Sequence, residues 1–347
     1  MDKDENASRR PGKRRWVTMA EVAGKAGVSK ITVSRVLKSP EKVRADTRER
    51  VLQAVRELGY MPDENAGAFS SRRSRMIGAL ISTLGGSTFE STVRGLSETL
   101  REAGYQLLLA TTDYSPEKEA EILGQLLTRR PDGIVLTSTL HTATARRLLS
   151  RAEVPVVELW ELPDHQLHSA VGFSNFTAGR DMTEHLIARG YQRIGFIGPR
   201  PERDERSSFR AEGYKTAIRA IAGFEPRIVS ASDSATVEER GAVGLVTLLE
   251  RWPDTQAVFC SSDQIALGAL TEAQRRGLRV PDQIAIAGFG DFEFSREHGL
   301  ELTTVRIPGH QIGVRAARLL IDFWEAPDGR HPQTVDLGYK VISRRTA

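Results

Sequence analysis

VTMAEVAGKAGVSKITVSRVL, residues 17–37, is the stretch that decides how the N-terminal part of this chain folds. Its pattern predicts a first short helix over residues 19–25, after which Gly27 can adopt the left-handed conformation that ends a helix. Ser29 is a good N-cap for a second helix, because its hydroxyl can accept a hydrogen bond from a first-turn amide. The pattern predicts a helix-turn-helix, whose second helix enters a DNA major groove, although an unrelated helical hairpin has similar spacing.

Positive charge is concentrated at the start of the chain. Residues 1–75 hold 18 Lys and Arg against 10 Asp and Glu, whereas the other 272 residues hold 31 against 35. Localised positive charge is typical of a phosphate-binding face, since each neutralised phosphate releases condensed counterions. We expect residues 1–15 to be a disordered basic tail that adds non-specific attraction. Lys30 and Arg35 lie on the second helix, where a solvated charged face is the alternative to DNA contact.

Composition bounds the class of protein and its compartment. At 347 residues the chain has room for a small head and a large second unit. The single cysteine, Cys260, lies in the apolar run AVFC and is typical of a core residue in a reducing compartment. No apolar run approaches the roughly 20 residues of a membrane span, and the charged N-terminus is unlike a secretory signal. We therefore expect a cytoplasmic protein with no membrane partner.

The sequence divides at a polar segment that follows the helix-turn-helix. A third helix is predicted over residues 46–58, and it completes a DNA-binding domain of residues 16–60. Residues 61–75 are predicted to be a hinge, with Pro62 near its start. Strands and helices then alternate, which assigns residues 76–347 to the α/β class.

The α/β part is predicted to have two lobes. Its strands are nearly continuous apolar runs, which is typical of parallel sheets covered by helices on both faces. The alternation restarts partway along, which indicates two doubly wound sheets. We assign about residues 76–174 and 305–330 to an N-terminal lobe, and about residues 175–304 and 331–347 to a C-terminal lobe. Ligands bind outside the carboxyl ends of such strands, so the crevice between the lobes is the predicted ligand site.

A DNA-binding head, a short hinge and a two-lobed body together resemble the lactose-repressor/galactose-repressor family of bacterial transcription regulators. The resemblance implies a periplasmic-binding-protein-like body and covers essentially the whole chain after the tail. Its motifs here are VTMAEVAGKAGVSKITVSRVL (17–37), Tyr60-x-Pro62, FRAEGY (209–214), VFCSSDQIALGAL (258–270) and VPDQIAIAGFGD (280–291). Within the family the chain is most similar to gluconate-operon repressors, through VPVVELWELP (154–163) and AVGFSNFTAGRDMTEHLIARGYQRIGFIG (170–198).

The resemblance implies roles for individual residues of the helix-turn-helix. Three residues match family positions that read base edges: Lys30, Ile31 and Arg35. Arg and Lys can donate to guanine acceptors, and Ile can lie against a thymine methyl group. Four residues match positions that hold phosphates: Thr18, Ser29, Thr32 and Ser34. Such contacts fix register without reading sequence. The alternative is that Ser29 only caps its helix and that Thr32 is only solvated.

The hinge departs from the family pattern at one position. Most members have a leucine seven residues after the hinge proline, which wedges into the minor groove, and this chain has Phe69 there. An aromatic wedge can still unstack a base step and bend the duplex. Ala66 is the other predicted minor-groove residue, and Gly67 weakens a helix in this segment. We expect the hinge to fold on DNA. A core contact with the body is the alternative for Phe69.

Two residues are implied by the resemblance to bind a small polar effector in the crevice, Arg210 and Asp263. Asp can accept from vicinal hydroxyls, and Arg offers a planar fork of donors, which together suit a polyhydroxylated ligand. For a sugar acid, Arg210 could pair with the carboxylate through two charge-assisted hydrogen bonds. The preceding loop adds Arg200, Arg203 and Arg206, any of which could reinforce that pairing, although for most of them we expect a solvated charge run.

Four further residues are candidates for the effector site: Phe89, Trp160, Asn175 and Glu158. The two aromatic residues could stack on the ligand or fill the lobes. The Asn175 amide is predicted to contact a hydroxyl. The Glu158 carboxylate at the end of an apolar strand should be solvated, paired or directed at the ligand.

Other classes of protein fit the sequence less well. It has no G-x-S-x-G, P-loop lysine or H-E-x-x-H motif, so an enzyme is not predicted. Its seven histidines are scattered, so neither a metal nor a cofactor is expected. A sugar-binding protein without a regulatory role would not need the basic head. A regulator of a neutral sugar, or one controlled by a protein partner, remains open.

The prediction is therefore allosteric control of transcription. A homodimer would place two recognition helices on the half-sites of a near-palindromic operator. A small-molecule effector, gluconate or a related sugar acid, would bind between the lobes and release the operator through a shared conformational equilibrium.

Overall fold

The computed structural model describes residues 17–61, 73–84, 89–163, 165–199, 204–230, 236–297, 299–325 and 331–347. The chain divides into two compact units, Met1–Arg73 and Ser74–Ala347, which we call the head and the body. The predicted tail and most of the predicted hinge lie outside the described residues. Within those residues no helix is long and apolar enough to cross a membrane.

The head is built from short helices whose ends are set by the capping residues in the sequence. Its α-helices are α1 (Met19–Ala26), α2 (Lys30–Lys38) and α3 (Ala45–Leu58). Thr18 and Glu21 form a capping box at the start of α1, and Ser29 caps α2. Gly27 separates them with a φ of 65°, a conformation that costs glycine little. This confirms the predicted helix-turn-helix.

The three helices of the head share a small apolar core. Its buried side chains include Val22, Val33, Val36, Val51 and Tyr60. Each aliphatic side chain of this size contributes roughly 1.5–3 kcal/mol when it is fully buried. Because the valines of α2 face this core, the opposite face of α2 carries its basic residues into solvent.

The N-terminal lobe of the body contains a six-stranded sheet. Its strands are β1 (Met76–Ile81), β2 (Gln106–Thr111), β3 (Gly133–Leu136), β4 (Val156–Leu159), β5 (Ser169–Gly172) and β11 (Thr334–Asp336). All are parallel, in the order β11-β5-β4-β3-β1-β2. The helices are α4 (Glu90–Glu102), α5 (Pro116–Leu127), α6 (Ala143–Ala152) and α11 (Gly309–Glu325). α4 and α11 cover one face, and α5 and α6 cover the other.

The C-terminal lobe repeats this arrangement with four parallel strands. They are β6 (Ile194–Gly198), β7 (Arg227–Ser230), β8 (Ala257–Cys260) and β9 (Ala285–Ala287), in the order β7-β6-β8-β9. The helices are α7 (Asn175–Ala188), α8 (Glu205–Arg219), α9 (Val237–Arg251) and α10 (Asp263–Arg275). Two doubly wound parallel sheets were predicted, and the structure confirms them.

The last residues of the chain serve both lobes. β12 (Lys340–Ile342) pairs antiparallel with β10 (Thr304–Arg306), which lies beside the C-terminal sheet through bridges at Thr303 and Arg306. β11, however, adds to the edge of the N-terminal sheet by pairing with β5. Our assignment of all of residues 331–347 to the C-terminal lobe was therefore wrong for β11. Strand pairing across some 160 residues is not visible in local sequence.

Candidate functional site

The outer face of α2 carries the three residues predicted to read bases. Lys30, Ile31 and Arg35 are exposed, and the Ile31 side chain is 70% exposed. They line a shallow groove together with Met19, Ser34, Lys38 and Ser39. Two cations and an exposed apolar side chain on one helix face match the donors and the methyl contact that major-groove readout needs. Base contact itself stays a prediction.

The predicted phosphate contacts already have local partners. Thr18 Oγ1 accepts from the Glu21 amide at 3.4 Å, and the Glu21 carboxylate accepts from the Thr18 amide at 2.7 Å. Ser29 Oγ accepts from the Thr32 amide at 3.2 Å. Capping is thus one role of Thr18 and Ser29, and phosphate contact stays a prediction for them and for Thr32 and Ser34. The predicted minor-groove residues Ala66 and Phe69 lie outside the described residues.

Arg210 lies buried in the crevice between the lobes, on the second turn of α8. Its Nη1 donates to Asn175 Oδ1 at 2.5 Å, and Nη2 lies 3.5 Å from Asp204 Oδ2. Its guanidinium lies 4.2 Å from the centre of the Phe289 ring. Burial lowers the pKa of Arg210 to about 10, with Asp204 opposing the shift and Arg206 adding to it. Arg210 is therefore a cation at neutral pH.

Three polar atoms at and around Arg210 are left without a hydrogen bond in the part of the chain that the structure describes. Among the described residues, Arg210 Nε, Asp204 Oδ1 and Ser207 Oγ are buried and form no hydrogen bond. Buried polar atoms in native proteins are nearly always satisfied by protein, water or ligand. One donor, one acceptor and one hydroxyl on the first turns of α8 match the groups of a polyhydroxylated ligand.

Arg206 is buried and does not belong to a solvated charge run, which is the role expected for most arginines of this loop. α8 begins at Glu205 and places Arg206 in its first turn. Only 7% of Arg206 is exposed, because it donates to the Thr137 carbonyl and to Ser82 Oγ, at 3.2 Å from the latter. Its guanidinium also lies 5.0 Å from the centre of the Phe89 ring. Arg200 and Arg203 lie outside the described residues.

The two candidate aromatic residues fill the N-terminal lobe. Phe89 and Trp160 are buried and pack edge to face, with ring centres 5.0 Å apart. Trp160 Nε1 donates to Thr92 Oγ1 at 3.1 Å. Trp160 has a φ of 74°, a left-handed conformation that bulky residues rarely adopt and that the surrounding structure must hold. Of the two alternatives for these residues, the structure favours packing, although Phe89 also faces Arg206.

Asn175 holds Arg210 in place. It is fully buried, and its Nδ2 donates to the Trp160 carbonyl at 2.7 Å and to Glu161 Oε2 at 2.9 Å. Because its Nδ2 makes both of these bonds and its Oδ1 accepts from Arg210, this amide has no donor left for an effector hydroxyl. Glu161 was missed by the sequence reasoning, although a carboxylate in WELP after an apolar strand was a signal. Gly172 leaves this turn its space, since a Cβ there would lie 2.7 Å from the Glu161 amide nitrogen.

The Asp263 carboxylate is saturated by the protein. Oδ1 accepts from Thr304 Oγ1 at 2.5 Å, and Oδ2 accepts from Ser295 Oγ at 2.6 Å and from the Phe292 amide at 3.0 Å. Burial raises its pKa, and these hydrogen bonds oppose the shift. Asp263 thus anchors the loop after β9 to the start of α10. The prediction that it is a free acceptor for ligand hydroxyls does not match this arrangement.

Glu158 is paired rather than directed at a ligand. It is 1% exposed, and its Oε1 lies 3.2 Å from His141 Nε2, while Oε2 accepts from the Leu167 amide at 2.6 Å. His141 Nδ1 lies 2.6 Å from Glu119 Oε1. Burial lowers the pKa of His141, but the hydrogen bonds to the two glutamates outweigh it and raise that pKa to about 9. The prediction of Glu158 as an effector residue is corrected to a buried ion-pair partner.

The His141 cluster makes the stability of the body dependent on pH. Because the folded pKa lies above the ordinary value of 6.5, its contribution is full below pH 6.5 and is lost as pH rises through about 9. We expect His141→Gln to lower the free energy of unfolding by roughly 1–3 kcal/mol at pH 7, since one buried carboxylate loses its donor. Urea unfolding at pH 7 and pH 10 measures it, and the difference from wild type should shrink at pH 10.

His310→Gln is the matched control for this prediction. His310 is half-exposed and pairs with Glu98 at 3.0 Å on the surface. A surface pair contributes little, so this substitution should be nearly neutral at both pH values. An equal effect of His141→Gln at pH 7 and pH 10 would contradict a charged His141.

The described residues contain no group of three or more His, Cys, Asp or Glu side chains that could hold a metal ion.

Two family models match the chain: "Bacterial regulatory proteins, lacI family" over residues 18–63, and "Periplasmic binding protein-like domain" over residues 183–347. A helix-turn-helix head followed by such a body defines a DNA-binding transcriptional regulator with a domain for a small-molecule effector. This class of protein is not enzymatic, as predicted.

Known proteins resemble the chain over nearly its whole length. The HTH-type transcriptional regulator GntR of Escherichia coli strain K12 is 36% identical over 331 residues, which cover 95% of this chain and 98% of that protein. The chain belongs to the LacI family of bacterial transcriptional regulators.

Solved structures agree with this assignment. A LacI-family regulator from Silicibacter pomeroyi is 32% identical with a TM-score of 0.87, covering 95% of this chain and 99% of that one. The Lac repressor dimer bound to operator and the anti-inducer ONPF is 25% identical with a TM-score of 0.80, covering 96% and 99%.

Proposed function

We propose that this regulator is a repressor of sugar-acid catabolism genes, acting in the cytoplasm and released from its operator by gluconate or a closely related acid. The observation that carries the proposal is the buried Arg210 guanidinium, which is a cation with an unpartnered Nε in the crevice. Its Nη1 and Nη2 bond to Asn175 Oδ1 at 2.5 Å and to Asp204 Oδ2 at 3.5 Å, which leaves the Nε–H without an acceptor among the described residues. A carboxylate is the ligand group that pairs with it most strongly.

The surroundings of Arg210 support a polyhydroxylated acid rather than a simple anion. Asp204 Oδ1 and Ser207 Oγ can bond to ligand hydroxyls, because neither forms a hydrogen bond within the described residues, although Asp204 Oδ1 lies 3.9 Å from Arg206 Nε. Arg206 lies four residues before Arg210 on α8 and adds a second guanidinium. The N-terminal end of α8 also favours a negative charge. The resemblance to gluconate-operon repressors supports the same class of ligand.

The operator is proposed to be a near-palindrome that two copies of the chain bind together. Support comes from the Lac repressor, whose dimer binds its operator and whose structure can be superposed on 96% of this chain. A two-fold symmetric pair of recognition helices requires half-sites about one helical turn apart, or a multiple of this distance. Lys30, Ile31 and Arg35 are proposed to read each half-site.

Thermal unfolding of the full-length protein against a panel of sugars and sugar acids tests the effector class. A ligand at 100 times its Kd stabilises the folded state by about 2.7 kcal/mol, which raises Tm by a few degrees. We expect shifts with gluconate or a close acid and none with glucose. Operator release by the same compound, measured by fluorescence anisotropy, connects binding to regulation.

Other outcomes would redirect the proposal. Shifts with neutral sugars alone would contradict an acid effector and leave Asp204 and Ser207 as the main contacts. No shift with any compound, together with an intact operator complex, would favour a protein partner as the regulator.

A further inference from the structure

Two neighbouring residues at the start of α8 bond the C-terminal lobe to the N-terminal lobe. Glu205 Oε2 accepts a hydrogen bond of 2.7 Å from the Thr139 hydroxyl. Arg206 donates to the Thr137 carbonyl and, at 3.2 Å, to the Ser82 hydroxyl. We call these contacts between Glu205, Arg206 and the N-terminal lobe the lobe latch.

The N-terminal side of the latch is held rigidly. Ser82 directly follows β1 and Thr137 directly follows β3, and these two strands are neighbours in one sheet. The Ser82 amide donates to Thr137 Oγ1 at 2.8 Å, and the two hydroxyl oxygens are 3.0 Å apart. Both residues are buried. The two acceptors of Arg206 therefore cannot move together with α8 when the C-terminal lobe moves. Movement of one lobe against the other must break these hydrogen bonds.

The Arg206 side chain also faces the crevice. A cavity of about 40 Å³ lies beside it, lined by polar groups that include Ser82, Tyr114, Glu119 and Asp204. A cavity of this size holds only a few water molecules, so a sugar acid cannot occupy it while the latch is closed. Entry of an acid beside Arg206 thus requires the lobes to separate at this point.

The latch bonds are of a kind that an anion can displace. The hydrogen-bond acceptors of Arg206 in the N-terminal lobe are a carbonyl and a hydroxyl, both neutral, and its one anionic neighbour among the described ion pairs, Asp204 at 3.9 Å, belongs to its own lobe. A carboxylate carries the opposite charge and can accept two parallel N–H groups of a guanidinium, which neither a carbonyl nor a hydroxyl can do. A neutral sugar offers only hydroxyl oxygens, and these have no such advantage over Ser82. Glu205 opposes effector binding in two ways. Its carboxylate repels an anion, and its bond to Thr139 helps to hold the lobes together.

We propose that an anionic effector opens the lobe latch by taking over the Arg206 guanidinium from Thr137 and Ser82. This inference rests on the proposed function, in which the effector is a sugar acid. Arg206 then selects acids over neutral sugars and also converts binding into movement of the lobes. The operator favours the latched state and the acid favours the open state, so each weakens binding of the other.

Thr139→Val tests the latch without removing a group that the effector needs. The substitution keeps the shape of the side chain and deletes only the hydroxyl that bonds to Glu205. Loss of one hydrogen bond destabilises the latched state, so gluconate affinity should rise about two- to tenfold. Calorimetric titration of the full-length protein measures this affinity. The gluconate concentration that releases half of a labelled operator should fall by a similar factor.

Thr271→Val is the matched control. Thr271 Oγ1 donates at 2.9 Å to the Leu267 carbonyl within α10, so its loss leaves the latch intact. This variant should bind gluconate as wild type does. Arg206→Gln tests the other half of the inference, since it removes the charge and should weaken gluconate binding at least tenfold.

The outcomes separate the latch from the proposed function. If wild type binds an acid but Thr139→Val binds it equally or more weakly, there is no latch that opposes binding. If Arg206→Gln folds and binds the acid as tightly as wild type, Arg206 does not capture the carboxylate. If wild type responds to neutral sugars only, the proposed effector class fails, and a charge-operated latch fails with it.

Discussion

Arg210→Ala is expected to weaken binding of the acid effector by at least about thirtyfold. Truncating one partner of a buried, hydrogen-bonded charge pair typically costs 2–5 kcal/mol. Arg210 is buried, is charged at neutral pH and has an Nε without a hydrogen bond in the described residues, so its truncation removes a cationic donor from the crevice. The thermal shift that gluconate produces in wild type should disappear, and the operator complex should no longer dissociate when gluconate is added.

The control for this substitution lies on the same helix. Arg219 is exposed at the end of α8, away from the crevice, so Arg219→Ala should bind gluconate as wild type does. Because the head folds as a separate unit, Arg210→Ala should keep its operator affinity. A variant that binds gluconate normally would show that the carboxylate lies elsewhere.

Arg35→Ala is expected to remove most of the preference for the operator over unrelated DNA. A bidentate contact from Arg to guanine contributes about 1–3 kcal/mol of discrimination, and a dimer makes that contact twice. Operator affinity should therefore fall by about thirtyfold or more, while non-specific binding stays and keeps its steep dependence on salt. Anisotropy titrations against operator and scrambled duplexes, at several salt concentrations, measure the operator affinity, the non-specific affinity and its dependence on salt.

Arg56→Ala separates base reading from general loss of charge. Arg56 is an exposed cation in the last turn of α3, outside the recognition face. Its loss should leave the ratio of specific to non-specific affinity unchanged. If Arg35→Ala lowers both affinities by the same factor, Arg35 contacts phosphates and not bases.

Local signals in the sequence predicted most of the fold. The turn at Gly27 and the cap at Ser29 depend on residues within a few positions of each other, so they could be found from the sequence. Apolar runs separated by helical periodicity predicted both sheets. Three short strands were not predicted: β5 with the sequence SAVG, β7 with the sequence RIVS and β10 with the sequence TVR. Their sequences are too short and too polar to stand out from a loop.

The candidate site was harder to predict, because burial depends on distant parts of the chain. Arg206 is charged and lies after a charged loop, and only the partners Thr137 and Ser82 from the other lobe make it a buried residue. Glu158 finds its partner in His141, whose loop approaches from the end of β3. The sequence identified Arg206 and Glu158 as candidate residues. Their partners could not be identified, because only the tertiary fold brings them together.

The placement of β11 and β12 has a consequence for how the body is made. These strands are only three residues apart, yet one completes the sheet of the N-terminal lobe and the other pairs beside the sheet of the C-terminal lobe. Neither lobe is a continuous piece of chain, so a ribosome has synthesised nearly all of the body before either lobe can close. We therefore expect the body to unfold as one cooperative unit, and cutting the chain between the lobes should not yield two stable halves.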